Sequence, residues 1–165
     1  MKLFSERLMY RPWTYEDDES IEEILGDEFV CRFLPGNNKK SKEEINKWLQ
    51  FFVISFNDEL GNKIFLISCK DTLDVIGYGG IGYVKEFDAI EIMYGFKKSA
   101  WGKGYATEAS VRFKELAIES GLQKVIALAD VDNVGSQKVL RKTGFQEIKK
   151  LSIWGMDALY YEMNL

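Results

Sequence analysis

The sequence contains no histidine and only two cysteines, and each shortage excludes a class of site. Without histidine the chain cannot form a Ser-His-Asp triad, a histidine general base or an HExxH zinc site. Cys31 and Cys69 lie far apart and outside any Cys-x-x-Cys pattern, so we expect neither a disulfide framework nor a zinc site. The sequence therefore predicts a protein of the reducing cytoplasm with no metal centre.

Long apolar runs are also missing. No run approaches the ~18 residues that a membrane span requires, and the segment Met1 to Arg7 lacks the apolar core of a signal peptide. With 22 basic and 26 acidic side chains the net charge is −4, which argues against a nucleic-acid or anionic-membrane surface. The 165 residues, 46% of them hydrophobic, suffice for one domain over 1–165 and leave no room for a second. We expect a monomer or a homodimer.

The most informative stretch is Trp101-Gly-Lys-Gly-Tyr-Ala-Thr-Glu-Ala109. Before it, Ala89 to Phe96 alternates apolar residues with a period of two, which predicts a half-buried strand. After it, apolar residues recur at three- and four-residue spacing up to Gly121, which predicts a helix with a glycine C-cap. A strand, a glycine turn and a helix therefore follow one another.

This turn is a candidate anion site. The first N–H groups of a helix have no intrahelical partners and lie at the positive end of the helix dipole. Gly102 and Gly104 would let an anion approach the backbone, and Lys97, Lys98 and Lys103 add positive charge without a nearby acid. The alternative is that the two glycines only make a tight connection between strand and helix.

The remaining patterns predict a mixed α/β fold with about seven mostly antiparallel strands, a central parallel pair and four helices. The predicted strands are Leu3 to Trp13, Ile64 to Lys70, Asp74 to Val84, Ala89 to Phe96, Lys124 to Ala129, Phe145 to Lys150 and Asp157 to Met163. The predicted helices are an acidic one from Glu16 to about Phe29, one that begins at a Ser41 capping box, the helix after the glycine turn, and a short one that Asp132 or Asn133 caps and that closes at Gly144. In the acidic helix, the spacing of Ile21, Ile24, Leu25 and Phe29 predicts one buried stripe. A right-handed crossover from Glu91 to Ala129 would form the parallel pair.

A second glycine pattern, Gly77-x-Gly79-x-x-Gly82, matches the dinucleotide-binding fingerprint. That fingerprint requires a helix to follow at once, whereas strand-like residues continue here. We therefore interpret these glycines as positions of close backbone approach within a strand.

Three motifs resemble the GNAT superfamily of N-acetyltransferases, in particular its ribosomal-protein-alanine acetyltransferase branch. Glu91 to Tyr94 followed by Trp101 to Ala109 is similar to motif A of that superfamily. The segment Asn133 to Phe145 resembles the branch pattern Asn-x-x-Ser-x-x-Val-Leu-x-Lys-x-Gly-Phe, and Ser5 to Trp13 is similar to the opening strand of the branch. The resemblance covers nearly the whole chain.

The resemblance implies acetyl-CoA as the cosubstrate. Its pyrophosphate would lie on the glycine turn, and its pantetheine arm would pair like an extra strand with the strand before that turn, which needs a gap beside it. The implied cofactor-binding residues are Tyr94, Gly95, Phe96, Lys97, Trp101, Gly102, Lys103, Gly104, Tyr105, Ala106, Thr107, Asn133, Ser136 and Lys142.

The resemblance also implies direct transfer of an acetyl group to a primary amine, either a protein N-terminal amine of the ribosomal type or a small cationic amine. Glu91 is the candidate general base. The alternative is that Glu91 is an ordinary solvent-facing glutamate without a catalytic role. Many family members have a tyrosine proton donor where this chain has Leu140, and Ser136 is the branch's substitute. Because of that departure, a non-catalytic regulatory domain that binds coenzyme A or another phosphate ligand is the alternative function.

Overall fold

Eight strands form one sheet in the computed structural model, which describes residues 1–165. The strands are β1 (Leu3–Phe4), β2 (Leu8–Pro12), β3 (Lys63–Cys69), β4 (Val75–Val84), β5 (Ala89–Phe96), β6 (Lys124–Asp130), β7 (Gln146–Ile153) and β8 (Met156–Asn164). The α-helices are α1 (Asp18–Leu25), α2 (Glu28–Cys31), α3 (Lys42–Ser55), α4 (Tyr105–Glu119) and α5 (Val134–Lys142). None of these helices combines the length and the apolar character that a membrane span requires.

The strand order across the sheet is β1-β2-β3-β4-β5-β6-β8-β7. Every neighbouring pair is antiparallel except β5 and β6. Helix α4 connects these two parallel strands, because a parallel pair needs a crossover. The predicted mixed sheet with a central parallel pair is confirmed.

Apolar side chains cover both faces of the sheet, and two separate clusters form the main core. On one face Phe113 and Leu116 of α4 pack with β-strand residues such as Tyr10 and Ile92. On the other face α1 and α3 pack over β3 and β4 through Ile24, Phe52 and their neighbours. Strand β4 therefore lies between two layers of helices, with Ile81 in one cluster and Tyr78 in the other.

The prediction of about seven strands and four helices is short by one of each. The first predicted strand is two strands, because a turn at Ser5 to Arg7 separates β1 from β2. The acidic helix is also divided. Gly26 ends α1, and the side chain of Asp27 accepts a hydrogen bond from the N–H of Phe29 and so begins α2. Gly26 and Asp27 are thus single-residue signals that break the helix inside a continuous apolar pattern.

Helix α2 places Phe29 differently from the prediction. The spacing of Ile21, Ile24, Leu25 and Phe29 predicted one buried stripe, and the first three are buried. Phe29 is only partly buried and packs edge-to-face on Trp101, with ring centroids 6.0 Å apart. The short second helix therefore reaches the glycine turn.

The glycines of β4 allow close packing, as the sequence analysis predicted. A Cβ atom on Gly79 would lie 2.8 Å from the Met93 carbonyl oxygen and 2.8 Å from the Phe113 ring. No α-helix follows β4; a 3-10 turn leads directly into β5. The dinucleotide fingerprint is thus coincidental.

Candidate active site

A gap opens between β5 and β6, the two parallel strands. They pair in register only at Glu91 and Ile126, while β5 pairs with β4 along its whole length. The carboxyl half of β5 therefore has no strand beside it on the β6 side. The gap that the resemblance required, and that no sequence pattern indicated, is present.

The backbone of β5 turns unpaired polar groups toward this gap. The N–H of Lys97 donates to the carbonyl of Ile76 in the antiparallel partner strand. Alternate residues of such a strand direct their N–H and C=O groups to opposite sides. Tyr94 and Phe96 therefore direct their backbone groups into the gap. The Phe96 carbonyl accepts a hydrogen bond from Trp101 Nε1 at 2.9 Å, so an extended amide-containing chain could pair with the backbone groups of Tyr94 and with the Phe96 N–H.

The turn before α4 presents a row of free N–H groups. Gly102 and Gly104 have φ angles of +74° and +79°, a region that glycine enters without steric cost. None of the backbone N–H groups from Gly102 to Thr107 donates to a protein acceptor. Because α4 adds its dipole to these donors, the turn is built to hold an anion. We call Gly102 to Thr107 the phosphate loop.

A cavity of about 1050 Å³ joins the phosphate loop to the gap and continues beyond it. Eleven of the predicted cofactor residues line it. These are Tyr94, Gly95, Phe96, Trp101, Gly102, Gly104, Tyr105, Ala106, Thr107, Asn133 and Ser136. Residues that are up to 42 positions apart in the chain thus share one continuous space.

Three predicted cofactor residues lie outside this cavity. Lys97 forms an ion pair with Glu23 of α1. Lys103, within the phosphate loop, has an exposed side chain, and Lys142 lines a second cavity of about 520 Å³ near the start of α4. Lys98, the other lysine of the predicted charge cluster, has its Nζ 3.7 Å from the centre of the Phe29 ring. Two of the four lysines are therefore engaged with α1 and α2.

Glu91 lies at the narrow end of the gap and lines the cavity. Its carboxylate has no ion-pair or hydrogen-bond partner among the side chains, whereas the carboxylate of Glu86, at the edge of the same cavity, accepts a hydrogen bond. Burial raises the pKa of Glu91 to about 7, with a smaller contribution from the negative charge of Glu86. A carboxylate with this pKa can accept a proton near neutral pH.

Tyr94 and Ser136 meet across the gap. The Tyr94 Oη and Ser136 Oγ atoms are 3.2 Å apart, and Asn133 orients the first turn of α5 by accepting from the Ser136 N–H at 3.1 Å. Burial raises the pKa of Tyr94 to about 12, although the Ser136 hydrogen bond lowers it, so the phenol keeps its proton. Leu140 is buried in the core. The hydroxyl groups near the gap thus come from β5 and from the first turn of α5.

The far end of the cavity lies under side chains from distant parts of the chain. Trp154, in the turn between β7 and β8, donates from Nε1 to the Glu86 carboxylate at 2.9 Å. That hydrogen bond holds the pKa of Glu86 below its usual range. Aromatic side chains of the α2–α3 region, Phe33, Trp48 and Phe51 among them, line the same cavity, as do two lysines and two aspartates. A largely apolar cavity whose charged residues include Glu86 and Glu91 suits an amine attached to an apolar or aromatic group.

Sequence reasoning missed Glu86, Trp154 and the aromatic residues as parts of one site. Trp154 is 44% exposed and has a positive φ of 51°, yet no local pattern connects it with Glu86. Only the sheet order, which sets the β7–β8 hairpin opposite the β4–β5 turn, brings the two together.

Comparison with known proteins agrees with this geometry. Residues 7–146 match the acetyltransferase (GNAT) domain family. An uncharacterized N-acetyltransferase, YoaA of Bacillus subtilis strain 168, is 27% identical over 147 residues, which cover 88% of this chain and 82% of YoaA.

Two solved structures share the fold. One is RimL, a ribosomal L7/L12 alpha-N-protein acetyltransferase in complex with coenzyme A. Its TM-score is 0.82 at 18% identity, with 100% of this chain and 98% of RimL covered. The other is the ribosomal-protein-S5-alanine acetyltransferase of Vibrio fischeri. Its TM-score is 0.79 at 18% identity, with coverages of 99% and 96%. Together with the family match over residues 7–146, the likeness leads to one conclusion: this chain belongs to the GNAT family of acetyltransferases.

Proposed function

We propose that this acetyltransferase moves an acetyl group from acetyl-CoA to a primary amine by direct attack, within one domain over residues 1–165. One observation carries the proposal: a single cavity connects a row of free helix N–H groups, an unpaired strand edge and an unpaired carboxylate. These are the features that a diphosphate, an amide-rich arm and an amine acceptor would each need.

The two ends of the cosubstrate have distinct partners in this proposal. The diphosphate accepts hydrogen bonds from the N–H groups of the phosphate loop. The pantetheine amides pair with the backbone of Tyr94 and with the N–H of Phe96, whose carbonyl accepts from Trp101, and Asn133 lines the same cavity. The complex of RimL with coenzyme A supports a coenzyme A ligand for this fold.

Glu91 acts as the general base. The acceptor ammonium must lose a proton before its nitrogen can attack the thioester carbonyl, and a carboxylate with a pKa of about 7 can take that proton. The new C–N bond forms as the C–S bond breaks. Ser136, with Tyr94 beside it, then donates its hydroxyl proton to the departing coenzyme A thiolate and takes up the second proton that the attacking nitrogen releases as the amide forms, while Glu91 keeps the first.

The acceptor is a primary amine, and two classes fit the far end of the cavity. A protein N-terminus of the ribosomal type is supported by the names of the structural neighbours. A small cationic amine is supported by Glu86 and Glu91, two carboxylates that line the largely apolar cavity. An assay of free coenzyme A release with N-terminal peptides and with diamines or aminoglycosides would distinguish the two.

The first test is calorimetric titration of the protein with acetyl-CoA, with adenosine diphosphate as the control for simple phosphate binding. We expect one-to-one binding that is much tighter for acetyl-CoA, because the arm adds its hydrogen bonds with β5. Equal affinity for the two ligands would contradict the proposed place of the arm. Binding without turnover of any amine would favour the non-catalytic alternative.

A further inference from the structure

The turn between β1 and β2 contacts the phosphate loop through Arg7, which lies almost a hundred residues away in the sequence. The Arg7 Nη1 atom donates to the carbonyl oxygen of Lys103 at 2.7 Å. Its guanidinium carbon lies 4.7 Å from the centre of the Tyr105 ring. Arg7 thus touches the residues on both sides of Gly104, the N-cap of α4.

Glu108 fixes the orientation of this arginine. One carboxylate oxygen accepts from the Ser5 hydroxyl at 2.6 Å and from the Arg7 N–H at 2.7 Å. The other accepts from Arg7 Nε at 2.8 Å. Burial alone would raise the pKa of Glu108, but these hydrogen bonds outweigh it and hold the pKa below its usual range. Glu108 therefore stays ionised and anchors both the backbone and the side chain of Arg7.

One nitrogen of the guanidinium remains unused. Nε and Nη1 have protein acceptors, while Nη2 has none and would lie 3.4 Å from a Cβ atom on Gly104. This nitrogen lies beside Gly104, within the phosphate loop whose N–H groups are free. A guanidinium held by two of its nitrogens and open at the third is well suited to a phosphate oxygen.

The second cavity begins at this point. It is lined by Arg7, Gly104, Thr107 and Lys142, together with Glu108 and the charged pair of Arg112 and Glu115. Lys142 has no ion-pair partner in the structure, and Glu6 also lies at the edge. Two cationic groups, Arg7 Nη2 and Lys142 Nζ, are thus available beside the phosphate loop.

We propose that Arg7 binds a phosphate group of coenzyme A beside the phosphate loop and that Glu108 is a positioning residue that orients Arg7. This inference rests on the proposed cosubstrate and adds Arg7, a residue of the opening strand, to the residues that the resemblance implies for cofactor binding. The shared chemistry is a phosphate, either of the diphosphate or of the ribose 3′-phosphate.

The sign of one effect separates this proposal from simple electrostatics. Glu108 is a negative charge in the first turn of a helix that receives an anion, so Coulomb's law alone predicts tighter binding once that charge is removed. Positioning predicts the opposite, because Arg7 loses its anchor. In Glu108→Gln we expect the affinity for coenzyme A to fall about 3- to 10-fold.

The main test is titration of coenzyme A, 3′-dephospho-coenzyme A and adenosine diphosphate into Arg7→Gln and Arg7→Lys. We expect Arg7→Gln to lose about 10- to 100-fold in coenzyme A affinity and Arg7→Lys to lose less, because lysine keeps the charge but not the fork. A loss that persists with 3′-dephospho-coenzyme A assigns Arg7 to the diphosphate. A loss that disappears with it assigns Arg7 to the 3′-phosphate.

Acetyl-pantetheine has no phosphate, so its turnover does not depend on a phosphate-binding residue. A variant with a structural defect, in contrast, would process it more slowly. We expect Arg7→Gln to process it as the unchanged protein does. In the double variant with Glu108→Gln, coenzyme A affinity should be no lower than that of Arg7→Gln alone, because without Arg7 the glutamate has nothing to position. Additive losses, tighter binding by Glu108→Gln, or unchanged affinity in Arg7→Gln would each overturn the proposal.

Arg141→Gln is the matched control, because Arg141 also pairs with a glutamate, Glu147 at 3.1 Å, but lines neither cavity. It should bind coenzyme A normally. If the unchanged protein binds no coenzyme A, the proposed function fails; if it binds and Arg7 variants bind equally well, only this inference fails. Should Glu108→Gln not fold, the two Arg7 variants still decide the matter.

Discussion

The two ends of the site each contain a glutamate, and the protein surrounds them in opposite ways. Glu108, at the phosphate end, accepts hydrogen bonds from Ser5 and Arg7, which hold its pKa below its usual range. Glu91, at the narrow end of the gap, has no such partner, and burial raises its pKa to about 7. The first carboxylate is kept as a permanent anion, whereas the second can exchange a proton near neutral pH.

This difference separates binding from chemistry. At the phosphate end, backbone N–H groups and a fixed ion pair are in place before any ligand arrives, which keeps the cost of ordering low. At the other end, one side chain is left without a partner, and that lack makes it reactive. Changes at the phosphate end should therefore affect affinity, and changes at Glu91 should affect turnover.

The largest effect is expected for Gly102→Asp. A carboxylate would then stand where the diphosphate accepts its hydrogen bonds, so acetyl-CoA affinity should fall about 1000-fold or more. Gly121→Asp is the matched control, because the two glycines have φ angles of +74° and +79°, and a Cβ atom added to either would meet no other atom within 4 Å. Calorimetry on both variants checks the prediction. Retained affinity in Gly102→Asp would mean that the anion site lies elsewhere.

Glu91→Gln should give the next largest effect, but on turnover and not on affinity. We expect kcat to fall about 100- to 10,000-fold, the range of general base catalysis, while acetyl-CoA affinity stays unchanged. In the unchanged protein, kcat/KM should rise with pH through about 7, as the Glu91 carboxyl loses its proton. The variant should lack this rise. A profile that keeps the same inflection would remove Glu91 as the base.

The raised pKa of Glu91 should also make the stability of the folded protein depend on pH. Because the folded state raises the pKa of Glu91, the protonated carboxyl favours folding, and this contribution is fully present below the unfolded value of about 4.3. It is lost as pH rises through about 7. Glu91→Gln should therefore melt higher than the unchanged protein at pH 8, by an amount that shrinks toward pH 4. Thermal melts across this range measure the difference.

A smaller effect is expected at the pair of hydroxyl groups between the two ends. Ser136→Ala should lower kcat only about 3- to 10-fold, because a coenzyme A thiolate leaves readily and water can protonate it. Tyr94→Phe should behave alike, since the two oxygens are 3.2 Å apart. If they act as a unit, the double variant is no slower than either single one. Multiplying effects would show that each hydroxyl has its own role.

The phosphate end and the acceptor end of the site also differ in how far the sequence predicts them. The phosphate loop is local: Gly102, Gly104 and the helix after them are contiguous, so turn and helix rules suffice. The cap of the last helix, which the structure places at Asn133, and the turn that joins the last two strands are local as well. Elements with their own start and stop signals were therefore predicted well.

The acceptor end could not be predicted in this way. Its residues come from the β4–β5 turn, the α2–α3 region and the β7–β8 hairpin, and no sequence period relates them. The gap at Glu91 is likewise a property of two strands that separate, whereas each strand alone has an ordinary apolar pattern. Arg7 was part of the resembling opening strand, but its contact with Lys103 depends on where the β1–β2 turn lies in the sheet.

The smallest effect is expected from Glu86, which tests whether the acceptor end recognises charge. Glu86 is exposed and accepts from Trp154, so its attraction for a cationic acceptor is screened by water and salt. Glu86→Gln should raise KM for a diamine about 2- to 5-fold and leave KM for acetyl-CoA unchanged. The increase should shrink as salt is added. With a neutral N-terminal peptide as acceptor the variant should match the unchanged protein, and Trp154→Phe, which keeps an aromatic ring and loses the donor, should reproduce part of the diamine effect. An equal rise in KM for both acceptors would mean that Glu86 contributes to the shape of the cavity and does not recognise charge. Glu91 would then be the one carboxylate with a functional role at the acceptor end.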